Sequence, residues 1–225
     1  MLEPGEEPYW LSVEQFQDIV SFAASRLDKV KCAFTIDDSN LSDATIAGPF
    51  LARMGFSAQI FVLTGRIGQK GSLDQIALRD LIDMGHSIGS HGNAHRDWKT
   101  LDEGELVDEI HTPRKRLQDL TGQTIDAAGL PFGGYNRKVL AEARRAGFKR
   151  LYSSDGGIAR NGDWPAGRTS LRRACTRCLT RSRCSCASSA ASRLRSKSAS
   201  SGHGPNSAIS LSRRSPTAGG SPCLL

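Results

Sequence analysis

Two adjacent carboxylates, Asp37 and Asp38, stand in the run Thr35-Ile36-Asp37-Asp38-Ser39. Side by side at a strand end they repel unless a cation or a shared proton divides their roles. One can then ligate a metal while the other stays free to take a proton. Taken alone, the pair is better read as an acidic turn or helix cap, which Ser39 and Asn40 would suit. A second cluster is Ser90-His91-Gly92-Asn93-Ala94-His95. Two histidines four apart can meet on one side of a helical turn and offer imidazole nitrogen to one divalent ion. The chain has five histidines in 225 residues, so two within five positions are a cluster. Incidental histidines on a surface loop would look the same. His86 and His111 fit no ligand spacing and read as structural or exposed. The third is Gly129-Leu130-Pro131-Phe132-Gly133-Gly134-Tyr135. A rigid glycine-rich turn after a strand can aim a backbone amide at a developing oxyanion. By itself it is more simply a turn into the next helix.

The elements that must position these residues alternate in type. Val30 to Ile36, Ser57 to Leu63, His86 to Ser90, Thr124 to Ala128 and Phe148 to Ser153 read as short buried strands. Ala44 to Met54, Leu73 to Met84, Asp102 to about Leu120 and Arg137 to Ala146 read as helices. Gly55, Gly85, Gly122 and Gly147 stand where helices stop. Asp102 and Glu105 have the spacing of a helix cap. Pro113 is expected to kink or break its helix, because proline removes an amide donor and crowds the preceding turn. Strands separated by helices imply parallel β/α units, at least four of them. Open sheet and barrel both fit that periodicity. Asp37, Asp38, His91 and Pro131 each follow a strand, and such positions converge on one face of either fold.

In this order the three clusters resemble the pattern of the polysaccharide deacetylases, the NodB-homology or carbohydrate esterase 4 family. TIDDS, HGNAH and GLPFG stand where that family has T-F-D-D-G, H-S/T-x-x-H and R-x-P-Y/F-G. The stretches FLARMGFSAQIFVLTGRIG and LIDMGHSIGSHGNAHRDWKTLDEGELVDEI are similar too. The resemblance covers about residues 30–173. It implies a distorted (β/α) barrel holding a divalent metal, usually zinc and in some members cobalt or nickel. It implies Asp38, His91 and His95 as metal ligands, Asp37 as the base and the Phe132 amide as oxyanion donor. The substrate implied is an N- or O-acetylated polysaccharide or oligosaccharide. Such roles agree with the chemistry of a two-histidine, one-carboxylate site, which leaves coordination positions open.

Three departures stand out. Ser39 replaces the motif glycine, which is expected to strain a tight turn. Gly129 replaces an arginine that orients the base in many members. The histidine of a final L-x-H motif, the family's general acid, has no convincing match, and the last barrel units are missing. The expected fold is therefore an incomplete barrel with impaired turnover. Two alternatives carry forward: a related amidohydrolase acting on a small C–N substrate such as allantoin, and a non-catalytic metal-binding remnant.

Charge divides the chain. Eleven of the 30 basic residues lie beyond Asp163, and none of the 23 acidic residues does, so residues 1–163 are net −4 and the rest net +11. Cys175, Cys178, Cys184, Cys186 and Cys223 lie in the same late region, while Cys32 stands alone before it. The expected organisation is an extension over 1–29 packing on the barrel, a deacetylase-like domain over 30–173, and a disordered tail over 174–225 rich in Arg, Ser and Cys. Loss of the reading frame near Ala174 would account for the tail's composition. Four thiolates on a zinc ion, or a basic arm for nucleic acid, are the competing readings, but the tail lacks the aromatic platform that grips single strands. His203, within Ser-Gly-His-Gly, is not assigned a role. A nucleic-acid partner is not expected, nor a membrane one, since no apolar run nears the ~18 residues of a span. The acidic N-terminus lacks the features of a secretory signal, so a cytoplasmic location is expected.

Overall fold

The computed structural model describes residues 7–25, 32–157, 159–160 and 162–173. Six strands form one sheet in sequence order, each parallel to the next: β1 (Phe34–Ile36), β2 (Ala58–Val62), β3 (Ser87–Ser90), β4 (Ala127–Gly129), β5 (Arg150–Ser153) and β6 (Ala166–Gly167). Parallel strands carry helices on their outer face and a filled interior on the other, so they are apolar on both sides. All five residues of β2 are buried accordingly. The sheet curls into a half-barrel. Arg168, directly after β6, reaches Thr35 and Asp37 at the end of β1. Among the described residues β6 and β1 do not pair, and the Arg168 side chain reaches from one edge of the sheet to the other.

Helices α1 (Val13–Ala24), α2 (Gly48–Arg53), α3 (Gln75–Asp83), α4 (Glu103–Thr121) and α5 (Arg137–Arg145) pack around this sheet. Their starts are dictated locally. Asp102 and Glu105 form the expected capping box, each accepting the other's amide. Asp74 caps α3 through Ala77, which moves its start past Leu73. Asn136 caps α5 through Val139. Gly122 ends α4 in the left-handed conformation, at φ 68°. Phe16, Ile19, Val20 and Ala23 of α1 join the same core as Leu51, Ile60, Leu81, Ile110 and Leu151.

Two expectations need correction, and one strand adds to those expected. The helix expected over 44–54 is two pieces, a π turn (Asp43–Ala47) and then α2. Pro49 supplies no amide there, and a Cβ at Gly48 would stand 2.7 Å from Leu81, so Leu81 and the chain at 48 are in close contact. Pro113 does not break α4, which runs through it for 19 residues. The buried face of Leu106, Glu109, Ile110, Pro113 and Leu117 outweighs one forfeited hydrogen bond. The sixth strand, β6, is too short for any periodicity to announce. The tail over 174–225, with its cysteines and His203, lies outside the described residues, as do 1–6 and 26–31.

Candidate active site

Asp37 and Asp38 follow β1 directly, where the chain must turn out of the sheet. Asp38 and Ser39 both take positive φ, 76° and 62°. This is the strain expected at Ser39, and its partners offset it. The Ser39 hydroxyl accepts the Leu63 amide at 2.7 Å, and its carbonyl accepts the Leu73 amide at 2.9 Å. His91 follows β3, and its amide is bonded to the Val62 carbonyl. Among the described non-glycine residues only Asp38, Ser39, His95 and Phe132 have positive φ. All four lie within the three motif segments, and strained backbone held by its surroundings often marks a working site.

The structure brings the expected ligands together. One donor atom each from Asp38, His91 and His95 lies within 4.8 Å of the others, and all three residues are buried. The Nε2 atoms of His91 and His95 stand 3.5 and 3.4 Å from Asp38 Oδ1. These separations are long for hydrogen bonds. They fit two ligands sharing a tetrahedral ion, which at ligand distances of ~2.1 Å lie about 3.4 Å apart. Asp38 Oδ1 is buried with no hydrogen-bond partner among the described residues, the state of an atom awaiting a cation. His91 Nδ1 lies 2.8 Å from the Gly129 carbonyl, which fixes the proton on Nδ1 and turns the Nε2 lone pair to the cluster. The residues therefore fit a divalent metal.

The electrostatics set the two histidines apart. Burial alone would raise the Asp38 carboxyl, but the close approach and charge of His91, with the charges of His95 and Arg66, hold it below its ordinary value. Burial works against the His91 imidazolium, and the charges of Asp37 and Asp38 overcome it and raise its pKa. His95 goes the other way, lowered to about 4 by burial and by His91. His95 is thus a neutral imidazole at neutral pH, as a ligand must be. Its ring stacks on Phe132, centroids 4.4 Å apart. Phe132 thus stands beside the cluster, on a turn that closes between Leu130 and Gly133.

Asp37 is fully buried, and its partner was not legible in the sequence. Arg168 grips both its oxygens, Nη1 at 2.8 Å from Oδ1 and Nη2 at 2.9 Å from Oδ2. Nη1 also donates to Thr35, and Nε to the Ser153 carbonyl. The guanidinium lies over Phe61, 5.2 Å from the ring centre. Phe61 also explains Gly129, where the family motif has its arginine. A Cβ there would come within 2.9 Å of the Phe61 ring and 3.2 Å of His91 Nδ1. No side chain fits at 129, and the cation arrives from β6 instead. The one available signal was that a buried base needs a counter-charge and position 129 supplies none.

His86 and His111 are placed elsewhere. His86 is buried between the Ala58 amide and the Gly48 carbonyl. His111 pairs with Glu142 across α4 and α5.

The family model for polysaccharide deacetylases matches residues 24–151, more than half of the sequence. The chain belongs to the polysaccharide deacetylase family, hydrolases of carbon–nitrogen bonds other than peptide bonds. It is 27% identical over 157 residues to YxkH of Bacillus subtilis (strain 168), a relative assigned by name to the same family. That match takes in 67% of this chain and 56% of the relative, so the chain spans little more than half the relative's length. The fold is shared with the Streptococcus pyogenes deacetylase PplD, solved with acetate (TM-score 0.68, 19% identity, 77% of this chain and 88% of that one). It is shared equally with BC0361, a polysaccharide deacetylase from Bacillus cereus (TM-score 0.67, 16% identity, 77% and 61%).

Proposed function

We propose that this chain is a metal-dependent deacetylase acting on an N- or O-acetylated polysaccharide or oligosaccharide. The observation that carries the proposal is the convergence of Asp38, His91 and His95 beside a buried, arginine-held Asp37. Asp38, His91 and His95 would hold the ion, zinc by the donor set, with cobalt or nickel as substitutes. A divalent ion there would acidify a water and polarise the acetyl carbonyl.

The rest falls to the protein's own groups. Asp37 accepts the proton of the attacking water, as a positioned base. A carboxylate offers about four acceptor sites, so Arg168 leaves lone pairs of Asp37 for this work. The bidentate grip fixes the carboxylate plane and balances its charge away from water. The Phe132 amide is the candidate donor to the oxygen that becomes negative on attack. The base and oxyanion assignments rest on motif position and on closeness to the cluster. The leaving group is the amine or hydroxyl of the sugar. Among the described residues no third histidine reaches the site to protonate it, so turnover should be slow. General acid catalysis is typically worth about 10² to 10⁴-fold.

Two measurements on the purified chain test this reading. Metal analysis should find about one divalent ion per chain, lost in His91→Ala. Acetate should be released slowly from acetylated chitooligosaccharide or xylan, and the release should stop on chelation. Equal metal content in both proteins would refute the assigned site. Stoichiometric metal without any acetate release would make the chain a metal-binding remnant.

A further inference from the structure

Helix α4 carries a carboxylate on its buried face. Glu109 is 4% exposed and sits among Leu106, Ile110, Pro113 and Leu117. A buried carboxylate is costly unless it is well bonded. Its bonds go to the three-residue span between the two ligand histidines. Oε2 accepts the Asn93 amide at 2.8 Å, and the Ala94 amide is shared between Oε1 at 3.1 Å and Oε2 at 3.3 Å. Two consecutive amides converging on one anion form the kind of concavity that elsewhere binds phosphate. Here the anion is the protein's own, delivered from a helix.

The fit is close. Gly92 takes φ +90°, and a Cβ there would stand 2.6 Å from Glu109 Oε2 and 3.1 Å from the buried Trp98 indole nitrogen. The opposite side of the span is held by β2's continuation. The amides of Thr64 and Gly65 donate to the carbonyls of Gly92 and Asn93, each at 3.0 Å. The span is therefore clamped between a backbone edge and a carboxylate, and it delivers His95 at φ 54°. Removing the carboxylate would leave two amides without their acceptor and release one side of the clamp on the loop that delivers His95.

We infer that Glu109 is a positioning residue for the metal centre: acting through the Asn93 and Ala94 amides, it sets the separation and direction of His95 relative to His91 and Asp38. The inference rests on the metal-site reading above. It identifies the residue, 14 positions beyond His95, that makes this loop a bidentate ligand.

The test compares the full-length chain with Glu109→Gln, Glu109→Asp, His91→Ala and Ile110→Val. Ile110→Val trims the same buried helix face and keeps the Glu109 carboxylate. Two readouts are taken. One is the Co²⁺ dissociation constant from competition with a chelating dye. The other is amide hydrogen exchange of residues 91–95 in the metal-free chain. Groups supporting metal ligands typically contribute 10–100-fold in affinity, so Glu109→Gln should weaken Co²⁺ binding by roughly that factor. Exchange at Asn93 and Ala94 should quicken. Glu109→Asp should fall between Glu109→Gln and wild type. Ile110→Val should leave both readouts unchanged even where it lowers the melting temperature. The inference is overturned if Glu109→Gln matches wild type in both readouts, or if Ile110→Val weakens Co²⁺ as much. A His91→Ala chain that has lost Co²⁺, beside an unaltered Glu109→Gln, would leave the metal site standing and remove only Glu109's role. Equal Co²⁺ binding by wild type and His91→Ala would remove the metal site and the positioning role with it.

Discussion

The Asp38–His91–His95 half of the site and the Asp37 half are anchored by different kinds of contact. Asp38, His91 and His95 hang from β1 and β3, strands joined through β2 by continuous parallel hydrogen bonding. Their loops are braced by backbone amides, the Ser39 hydroxyl and Glu109. Many modest bonds share the load there. Asp37 is gripped on both oxygens by Arg168, which arrives across the open side of the sheet from 131 positions away, with His91 Nε2 3.9 Å from Oδ2. The first arrangement should tolerate the loss of one bond. The second concentrates a buried charge pair at a single point and should fail abruptly.

The largest effect should come from breaking that point. Arg168→Met leaves Asp37 buried without its counter-charge, and opening a buried ion pair from one side costs about 3–5 kcal/mol. Urea unfolding at neutral pH would measure it. A loss under about 1 kcal/mol would mean that the sheet edges do not rely on this contact. Arg168→Lys should fall between, since an ammonium cannot reproduce the two-point grip.

A smaller loss is expected from filling the space opposite. Gly129→Ala would press on Phe61 and His91, and overpacking of this kind costs about 1–3 kcal/mol. If the substitution is silent in urea unfolding, Phe61 has room to move, and another reason must be found for the arrangement at 129.

Asp43 sharpens the comparison through pH. Burial, then the neighbouring charge of Asp38, pushes its carboxyl well above the ordinary value. Its Oδ2 is buried without a hydrogen-bond partner among the described residues. A carboxyl raised on folding contributes stability that is complete below the unfolded pKa and drains away as pH rises through the folded one. Asp43→Asn keeps the neutral form at every pH. With both proteins metal-free, the variant should therefore lose less stability than wild type as pH rises above the unfolded aspartate value of about 4. Parallel curves would show that Asp43 is not protonated in the fold.

At the small end is Lys115–Asp119, an exposed pair one helical turn apart on α4. Lys115→Ala should change stability by no more than about 0.5 kcal/mol. A larger change would mean that surface charges, rather than the clasp at Asp37, carry much of the electrostatic stability.

Much of this architecture could be read from the chain itself, where local chemistry decides. Asp102 with Glu105 had to cap a helix, and Gly122 had to end it. The apolar run through Phe61 had to be a buried strand. Asp38, His91 and His95 were legible as candidate ligands through the order of the three motifs and the family they resemble, since Asp37-Asp38 alone reads as an acidic turn. Pro113 misled, because a proline's local penalty says nothing of the apolar face that carries the helix across it. Strand β6 and Arg168 were illegible for a related reason. Two strand residues have no period, and an arginine in a basic stretch looks like any other.

The amino-acid order alone determined the alternation of strands and helices, and the carboxylate and two imidazoles at positions 38, 91 and 95. Only the curl of the sheet decided that Arg168 would meet Asp37, that Phe61 would take the space beside Gly129, and that Glu109 would brace the histidine loop. Caps and periodicity act over a few residues and leave a mark in the text of the chain. A buried charge finds its partner by proximity in space, which only folding creates.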